Sequence, residues 1–324
     1  MADAEILVDV ENLTRRFPRC DALGGLSFQI RRGEIAGFLG PNGSGKTTTL
    51  RILAGVLAPT SGRAFVAGFD VVAHSLEVRR RIGYLPETVP LYPEMRVDEY
   101  LAFRGRIKGL RGSRLSARLR DVIEQCGLGG AAGRVIGNLS RGFRQRAGLA
   151  DSLLHEPDVL LLDEPLAGLD PAQVQATRAL LRDAGTRCAV LFSTHVLAEV
   201  EHLCHRALIL NAGRLAASDS PARLVQAAAR LHAELLAPPD ALAEAVQGLS
   251  DAPDIRFDLL PDGWTAVSIP AGDADLRPQM AELAKARQWP LRELRHDAKG
   301  FDDMYLRLTT SPPMVQNPRK RTAP

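Results

Sequence analysis

The chain has 324 residues, 45% of them hydrophobic and 24% charged, with a net charge of +3. That length suits one large domain or two of unequal size, and no run approaches the ~20 apolar residues a membrane-spanning helix needs. So small a net charge, with arginines interspersed among acids, gives no nucleic-acid signal; Cys20, Cys126, Cys188 and Cys204 lack metal-binding spacing and read as reduced thiols of a cytosolic protein.

The opening MADAEILVDVENL has no basic stretch leading into an apolar block, which argues against a secretory signal. Ile6 to Leu13 alternates as a half-buried strand should, with Leu26 to Ile30 as its hairpin partner. Phe17 falls in the loop between them. A flat aromatic face there suits stacking on a purine, and an ordinary core phenylalanine fits the spacing equally.

Ile35 to Leu39 is an apolar run of strand length, and the most informative stretch of the chain follows it. Gly40-Pro41-Asn42-Gly43-Ser44-Gly45-Lys46-Thr47 satisfies G-x-x-x-x-G-K-[ST] at every position, before a helix predicted over Thr48 to Leu57. Glycines 40, 43 and 45 let the backbone curl until successive N–H groups converge, and the helix after them adds partial positive charge. Lys46 then reaches the β- and γ-phosphates of a nucleoside triphosphate, and the Thr47 hydroxyl a Mg²⁺ ion. The chain reads as a nucleoside-triphosphate binder.

Ser61 to Phe69 predicts a hairpin strand, Leu76 to Arg81 a short basic helix, and Ile82 to Leu85 a strand. Arg96 to Cys126 is helical in pattern and broken at Gly109 to Gly112. Val97, Tyr100, Leu101 and Phe103, then Leu115, Leu119, Val122 and Ile123, recur at helical spacing, as in an inserted helical subdomain over about 88–155. A glycine-rich connection, Gly127 to Gly137, leads to Asn138-Leu139-Ser140-Arg141-Gly142-Phe143-Arg144-Gln145-Arg146, where Ser140 caps a helix running to Leu154.

Asp158-Val-Leu-Leu-Leu-Asp163-Glu164-Pro165 has four consecutive aliphatics, the mark of a parallel strand buried on both faces. Its two carboxylates fall at the C-terminal end, where open α/β sheets bind ligands. Asp163 suits the oxygen shell of Mg²⁺, and Glu164 can orient or deprotonate an attacking water. A solvated or salt-bridged acid pair is the other reading. Leu166-Ala-Gly-Leu-Asp170 precedes a helix, Ala172 to Arg182. Cys188 to Phe192 is another buried strand, ending at Ser193-Thr194-His195. His195 there is placed to contact a γ-phosphate, or else is structural. A helix (Val196 to Cys204) and a strand (Ala207 to Leu210) follow, so strands and helices alternate and the sheet should be largely parallel.

Composition changes after Pro221. A strand (Leu231 to Ala237), helix (Pro239 to Leu249), strand (Ile255 to Leu260), strand (Trp264 to Ile269), helix (Leu276 to Gln288) and strand (Leu291 to His296) give the βαββαβ order of a ferredoxin-like unit. A last helix is predicted over Gly300 to Leu308. This unit shows no metal or catalytic grouping, which favours protein contact, in regulation or dimerisation. The expected domains are 1–221, 222–310, and a disordered tail, 311–324, of prolines and charges.

These motifs, in this order, resemble the ATP-binding subunits of ABC transporters over about two thirds of the chain. GPNGSGKT resembles the Walker A loop, VLLLDEP the Walker B strand, AGLD the D-loop and STH the switch histidine; NLSRGFRQR is similar to the signature motif that sets this family apart. The implied fold is an α/β P-loop NTPase (ABC ATPase) with a mainly parallel sheet, an antiparallel β subdomain and the helical insertion. The resemblance implies ATP held by Phe17 on the adenine and by residues Gly40 to Thr48 (Thr48 included) on the phosphates, and Mg²⁺ held by Thr47 and Asp163. Glu164 takes the place of the catalytic base and His195 that of the switch. Glu87 stands where a Mg²⁺-sensing glutamine is usual. Ser140 and Gly142 would grip ATP bound to a second copy, with Leu139, Arg141 and Asp170 in the dimer contact, so the implied partners are a nucleotide-sandwich homodimer and an integral-membrane permease.

The usual LSGGQ is here Leu139-Ser-Arg-Gly-Phe143, a departure that keeps the leucine, serine and second glycine. YLPE with LSRGFRQR and a C-terminal FDDMYLRLT resembles the ABC-2 type exporter branch. Thr88 to Tyr100 is where the family's permease docks, and Leu91, Tyr92, Pro93 and Met95 read as a contact patch or as core. The implied location is cytoplasmic, at the inner membrane face. The alternative, a soluble ABC-type ATPase acting on ribosomes or DNA, is disfavoured by the single Walker A loop and the lack of long coiled coils.

Overall fold

The first strand runs past its expected end. A computed structural model describes residues 5–247, 255–272, 274–297 and 301–310. In it β1 (Ile6–Phe17) and β2 (Cys20–Arg31) pair antiparallel from Ile6–Arg31 to Phe17–Cys20, around a turn at Pro18-Arg19. The alternating pattern stops at Leu13. Thr14, Arg15 and Arg16 nevertheless stay paired with Gly24, Leu23 and Asp21 through shifts of register, and such irregular pairing is invisible to a period-two search. Phe17 therefore closes a strand and does not lie in a loop.

β3 (Ile35–Leu39), buried at all five residues, leads through the loop 40–45 into α1 (Lys46–Leu53). β4 (Ser61–Val66) pairs antiparallel with β1, and β5 (Phe69–Asp70) with β4, which completes a four-stranded sheet in the order β2-β1-β4-β5. Then come α2 (Ser75–Arg81), β6 (Ile82–Leu85), and the helices α3 (Val97–Ile107) and α4 (Gly112–Gln125). α5 (Arg141–Leu153) follows two short 3-10 turns, and β7 (Val159–Asp163), α6 (Pro171–Gly185), β8 (Ala189–Thr194), α7 (Leu197–Leu203) and β9 (Arg206–Asn211) alternate after it. β10 (Arg214–Asp219) was not expected from the sequence, because Arg-Leu-Ala-Ala-Ser-Asp carries too few apolar residues.

The second sheet has the order β10-β9-β3-β8-β7-β6, with β3, β6, β7, β8 and β9 mutually parallel where they pair. Its central strands are covered on both faces. Leu160, Leu162, Val190 and Phe192 join a core with α3 to α6. Val159, Leu161, Ala189, Leu191 and Phe38 point the other way, into a core with the four-stranded sheet, α1 and α2. Each such fully buried leucine contributes roughly 1.5–3 kcal/mol of transfer free energy, which fixes the register of these strands and hence the positions of the residues at their ends.

The chain divides into a first unit that runs to Ser218 and takes in the residues from Leu308, and a second, Asp219–Arg307. The second begins at α8 (Pro221–Ala227), capped by the Ser220 hydroxyl with proline at its first position. β11 (Arg230–Leu235), α9 (Pro239–Val246), β12 (Arg256–Leu259), β13 (Thr265–Pro270), α10 (Arg277–Ala286) and β14 (Leu291–Asp297) follow, and α11 (Phe301–Thr310) comes last. The sheet order β12-β13-β11-β14, antiparallel throughout, is that of a ferredoxin-like split βαβ. Leu231, Ala233, Leu235, Val267 and Ile269 pack with Leu242, Val246 and Met280 of the two helices. The tail expected over 311–324 lies outside the described residues. Among the described residues no helix is long and apolar enough to cross a membrane.

Candidate active site

Because β3, β7 and β8 run parallel, their C-terminal ends bring the loop 40–45, the pair Asp163-Glu164 and the pair Thr194-His195 to one edge of the sheet. Gly43 and Gly45 hold φ of 79° and 105°, which lets the loop fold back before α1 opens at Lys46. A Cβ on Gly40 would lie 2.3 Å from the Leu210 carbonyl oxygen, so only glycine fits. Lys46 Nζ donates to the carbonyls of Gly40 (2.6 Å) and Pro41 (3.1 Å). Burial lowers its pKa, against the opposing pull of Glu164 and Asp163. Ser44 is buried and its Oγ has no partner; Pro41, Asn42 and Gly43 are exposed, and Thr47 and Thr48 are half-buried.

Asp163 is 1% exposed at the end of β7. Its Oδ1 accepts from Thr47 Oγ1 at 3.1 Å and from Ser193 Oγ at 2.5 Å. Its Oδ2 is buried without a partner. A buried carboxylate oxygen left open beside a threonine hydroxyl is a hard oxygen donor set of the kind Mg²⁺ takes. Glu164 follows with φ of 51°, a left-handed conformation that a β-carbon makes costly, by ~1–3 kcal/mol. Backbone hydrogen bonds hold it there, among them one from the Ala167 N–H to its carbonyl at 3.2 Å. Its N–H donates to the Ser193 hydroxyl (3.0 Å) and carbonyl (3.2 Å), and its own carbonyl accepts from Gln145 Nε2 (3.2 Å). The carboxylate faces His195, whose Nδ1 is 3.0 Å from each oxygen. Ser193 and Gln145 were not singled out in the sequence, where each is a small part of a longer motif; only the fold shows that both converge on Glu164.

Ser140 and Gly142 sit apart from this cluster, at the tip of α5. The Ser140 hydroxyl accepts from the Phe143 N–H at 3.4 Å, a capping bond. A Cβ on Gly142 would meet Gln173 Oε1 at 2.7 Å and Leu169 Cδ2 at 3.4 Å, and Arg141 lies against Gly168. The tip therefore touches the Ala167–Asp170 loop of its own chain. That loop ends on Asp170, which caps α6 by accepting from the Gln173 N–H at 2.9 Å, with Pro171 next. Leu139 is buried. Phe143 packs on the helical core, with the Arg146 guanidinium 4.2 Å above its ring.

Phe17 is 37% exposed, so of its two readings the core one is set aside; the Arg15 guanidinium lies 4.7 Å from its ring centroid. Glu87 is exposed, two residues past the end of β6, the edge strand beside β7. In the Thr88–Tyr100 segment, Leu91 and Met95 pack on the helical core. Tyr92 and Pro93 are exposed, and the Tyr92 ring stands edge-on to Tyr100 and Phe103 at 5.9 Å each.

One grouping overturns an expectation. The second unit brings His232, Glu234 and Glu293 together on one face of its sheet, their ligand atoms within 4.8 Å of one another, because β11 pairs with β14 at Glu234–Glu293. Glu293, 59 and 61 residues on from Glu234 and His232, meets them only through that register. Each carboxylate is already held by an arginine: Glu234 by Arg292 at 2.6 Å and Glu293 by Arg295 at 3.2 Å.

A family model described as ABC transporter matches residues 23–167. The uncharacterized ABC transporter ATP-binding protein YxlF of Bacillus subtilis (strain 168) is 40% identical over 209 residues, which cover 64% of this chain and 69% of that protein. Nod factor export ATP-binding protein I of Ralstonia nicotianae is 37% identical over 223 residues, 68% of each chain. Among solved structures, an ATP-binding subunit of an ABC transporter superposes with a TM-score of 0.64 at 28% identity, over 67% of this chain and 91% of that one.

Proposed function

This chain belongs to the ATP-binding subunits of ABC transporters and is an ATP hydrolase; on that premise we propose that it drives a separate membrane permease in an ABC-2 type export system. The observation that carries the mechanism is the shared anchoring of Asp163, Glu164 and His195 at one sheet edge beside Lys46 and Thr47.

The loop Gly40–Gly45 and the opening of α1 present N–H groups to the phosphates, while Phe17 stacks on the adenine. Lys46 exchanges its bonds to two loop carbonyls for bonds to phosphate oxygens, a favourable exchange for a desolvated ammonium. Thr47 and the open Oδ2 of Asp163, with Glu87 at the rim, would hold Mg²⁺. Bound there, Mg²⁺ neutralises charge that develops on the phosphates. Glu164 takes the proton of the attacking water, and His195, on the Glu164 carboxylate through Nδ1, keeps that base oriented.

Ser140 and Gly142 form a helix tip whose hydroxyl and N–H groups suit the terminal phosphate of ATP held by a second copy, so the working unit is a homodimer with two nucleotides between the subunits. Leu139 anchors that tip in the core, and Arg141 and Asp170 join it to the loop that would line the contact. The exposed Tyr92, Phe103 and Ile107 are the surface offered to the permease. Export is supported by the exporter-like motif set and by the export named for the Ralstonia relative.

Glu164→Gln tests the chemistry. The variant is expected to bind ATP with unchanged affinity while turnover falls ~10²–10⁴-fold; wild-type turnover would remove Glu164 from the mechanism. Purification of the tagged chain from detergent-solubilised membranes tests the coupling. An integral-membrane protein should accompany it, and ribosomes or DNA in its place would favour a soluble ABC ATPase.

A further inference from the structure

Glu199 is buried, 7% exposed, two residues into α7, and the mechanism above makes no use of it. The residue that caps the N-terminus of α7 is Val196, whose side chain supplies no capping bond. A glutamate at the third position of a helix ordinarily reaches back to the N–H of the capping residue. Here a hydroxyl stands between. The Val196 N–H donates to Thr194 Oγ1 at 3.0 Å, so the threonine proton is directed onward, and Thr194 Oγ1 donates it to Glu199 Oε2. The Glu199 N–H closes the ring on the Val196 carbonyl at 3.1 Å. The residue enclosed by this relay is His195.

Resting on the reading of His195 and Glu164 given above, we infer that Glu199 is a positioning residue for ATP hydrolysis: through the Thr194 hydroxyl it fixes the backbone of His195 so that the imidazole meets Glu164. The need for such a device follows from exposure. The His195 side chain is 65% exposed, while the Glu164 side chain it must meet is 17% exposed and held in a left-handed backbone. An exposed imidazole has little packing to hold it, so its place is set by its backbone. Thr194 and Glu199 supply that restraint from the buried side. What Thr194 requires is an acceptor, not a charge: burial raises the Glu199 carboxyl above the ordinary carboxylate range, and the hydrogen bond from Thr194 opposes that rise. A glutamine carbonyl can accept the same hydroxyl.

Steady-state ATPase kinetics on the full chain, with ATP affinity and Tm measured in parallel, decide the matter for Glu199→Ala, Glu199→Gln and Thr194→Val, with Glu164→Gln as reference. Glu199→Ala and Thr194→Val should each lower kcat by ~10–100-fold with KM for ATP unchanged. Glu199→Gln should restore turnover close to wild type, and the Thr194→Val/Glu199→Ala double variant should be no worse than either single one. Should Glu199→Ala melt below the assay temperature, Thr194→Val decides on the same criterion. Wild-type kcat in the alanine and valine variants beside a collapsed Glu164→Gln overturns the role of Glu199 alone. A fully active Glu164→Gln overturns the reading of Glu164, and this inference with it.

Discussion

His195 Nδ1 lies 3.0 Å from both carboxylate oxygens of Glu164, so the imidazole straddles the carboxylate symmetrically. With the proton on Nδ1 the ring donates to Glu164 and leaves Nε2 free to face a substrate. Glu164 is thereby braced at both its ends, by Ser193 and Gln145 on the backbone and by His195 on the side chain. His195→Ala removes the brace and leaves the phosphate loop intact. Turnover should drop ~10²-fold or more, with ATP affinity within a few-fold of wild type; an equal loss of binding and turnover would place His195 in ground-state ATP binding instead.

Phe17 closes the bulged end of β1 with its ring partly in solvent and Arg15 across it. An aromatic face on a base contributes ~1–3 kcal/mol. Phe17→Ala should therefore weaken ATP binding roughly tenfold, Phe17→Tyr should keep it, and neither should move Tm appreciably. Titration with a fluorescent ATP analogue separates the two, and unchanged affinity in the alanine variant would take Phe17 out of the nucleotide site.

His155 couples the stability of the fold to pH. Its Nε2–H donates to the Ile82 carbonyl at 2.9 Å, so Nδ1 carries the lone pair and faces the Lys108 ammonium at 3.3 Å. Burial and Lys108 push the imidazole down to about 4 from its ordinary 6.5. Between those values the unfolded chain binds a proton that the folded chain refuses. Stability thus rises with pH across the window and is lost as pH falls through it, by up to ~3 kcal/mol. Thermal melts at pH 7 and pH 5 should show a smaller drop in His155→Gln than in wild type; equal drops would contradict the assignment.

What could be read in the sequence divides by how local its cause is. The phosphate loop, the strand before it and the acid pair after Leu162 are written in contiguous residues, and the structure places them where those residues imply. Phe17 was misplaced because Thr14-Arg15-Arg16 pairs through bulges that break the alternation. Ser193, Gln145 and Glu199 act on partners 5 to 30 residues away through one to three hydrogen bonds each, and nothing in their own neighbourhood announces it. The φ of Glu164 is likewise imposed from β8, on a residue type that does not favour it. His232, Glu234 and Glu293 meet only because of the register between β11 and β14.

The decisive relationship is one that a single chain cannot display, since Ser140 and Gly142 turn toward Phe143, Leu169 and Gln173 of their own chain. Light scattering on Glu164→Gln with saturating ATP and Mg²⁺ tests it most directly. A species of twice the 35.1 kDa chain mass, holding two ATP molecules, is expected, and it should revert to monomer when Gly142→Asp is added. A particle that stays at the mass of one chain with ATP bound, or a dimer indifferent to Gly142→Asp, would contradict the shared grip on the nucleotide.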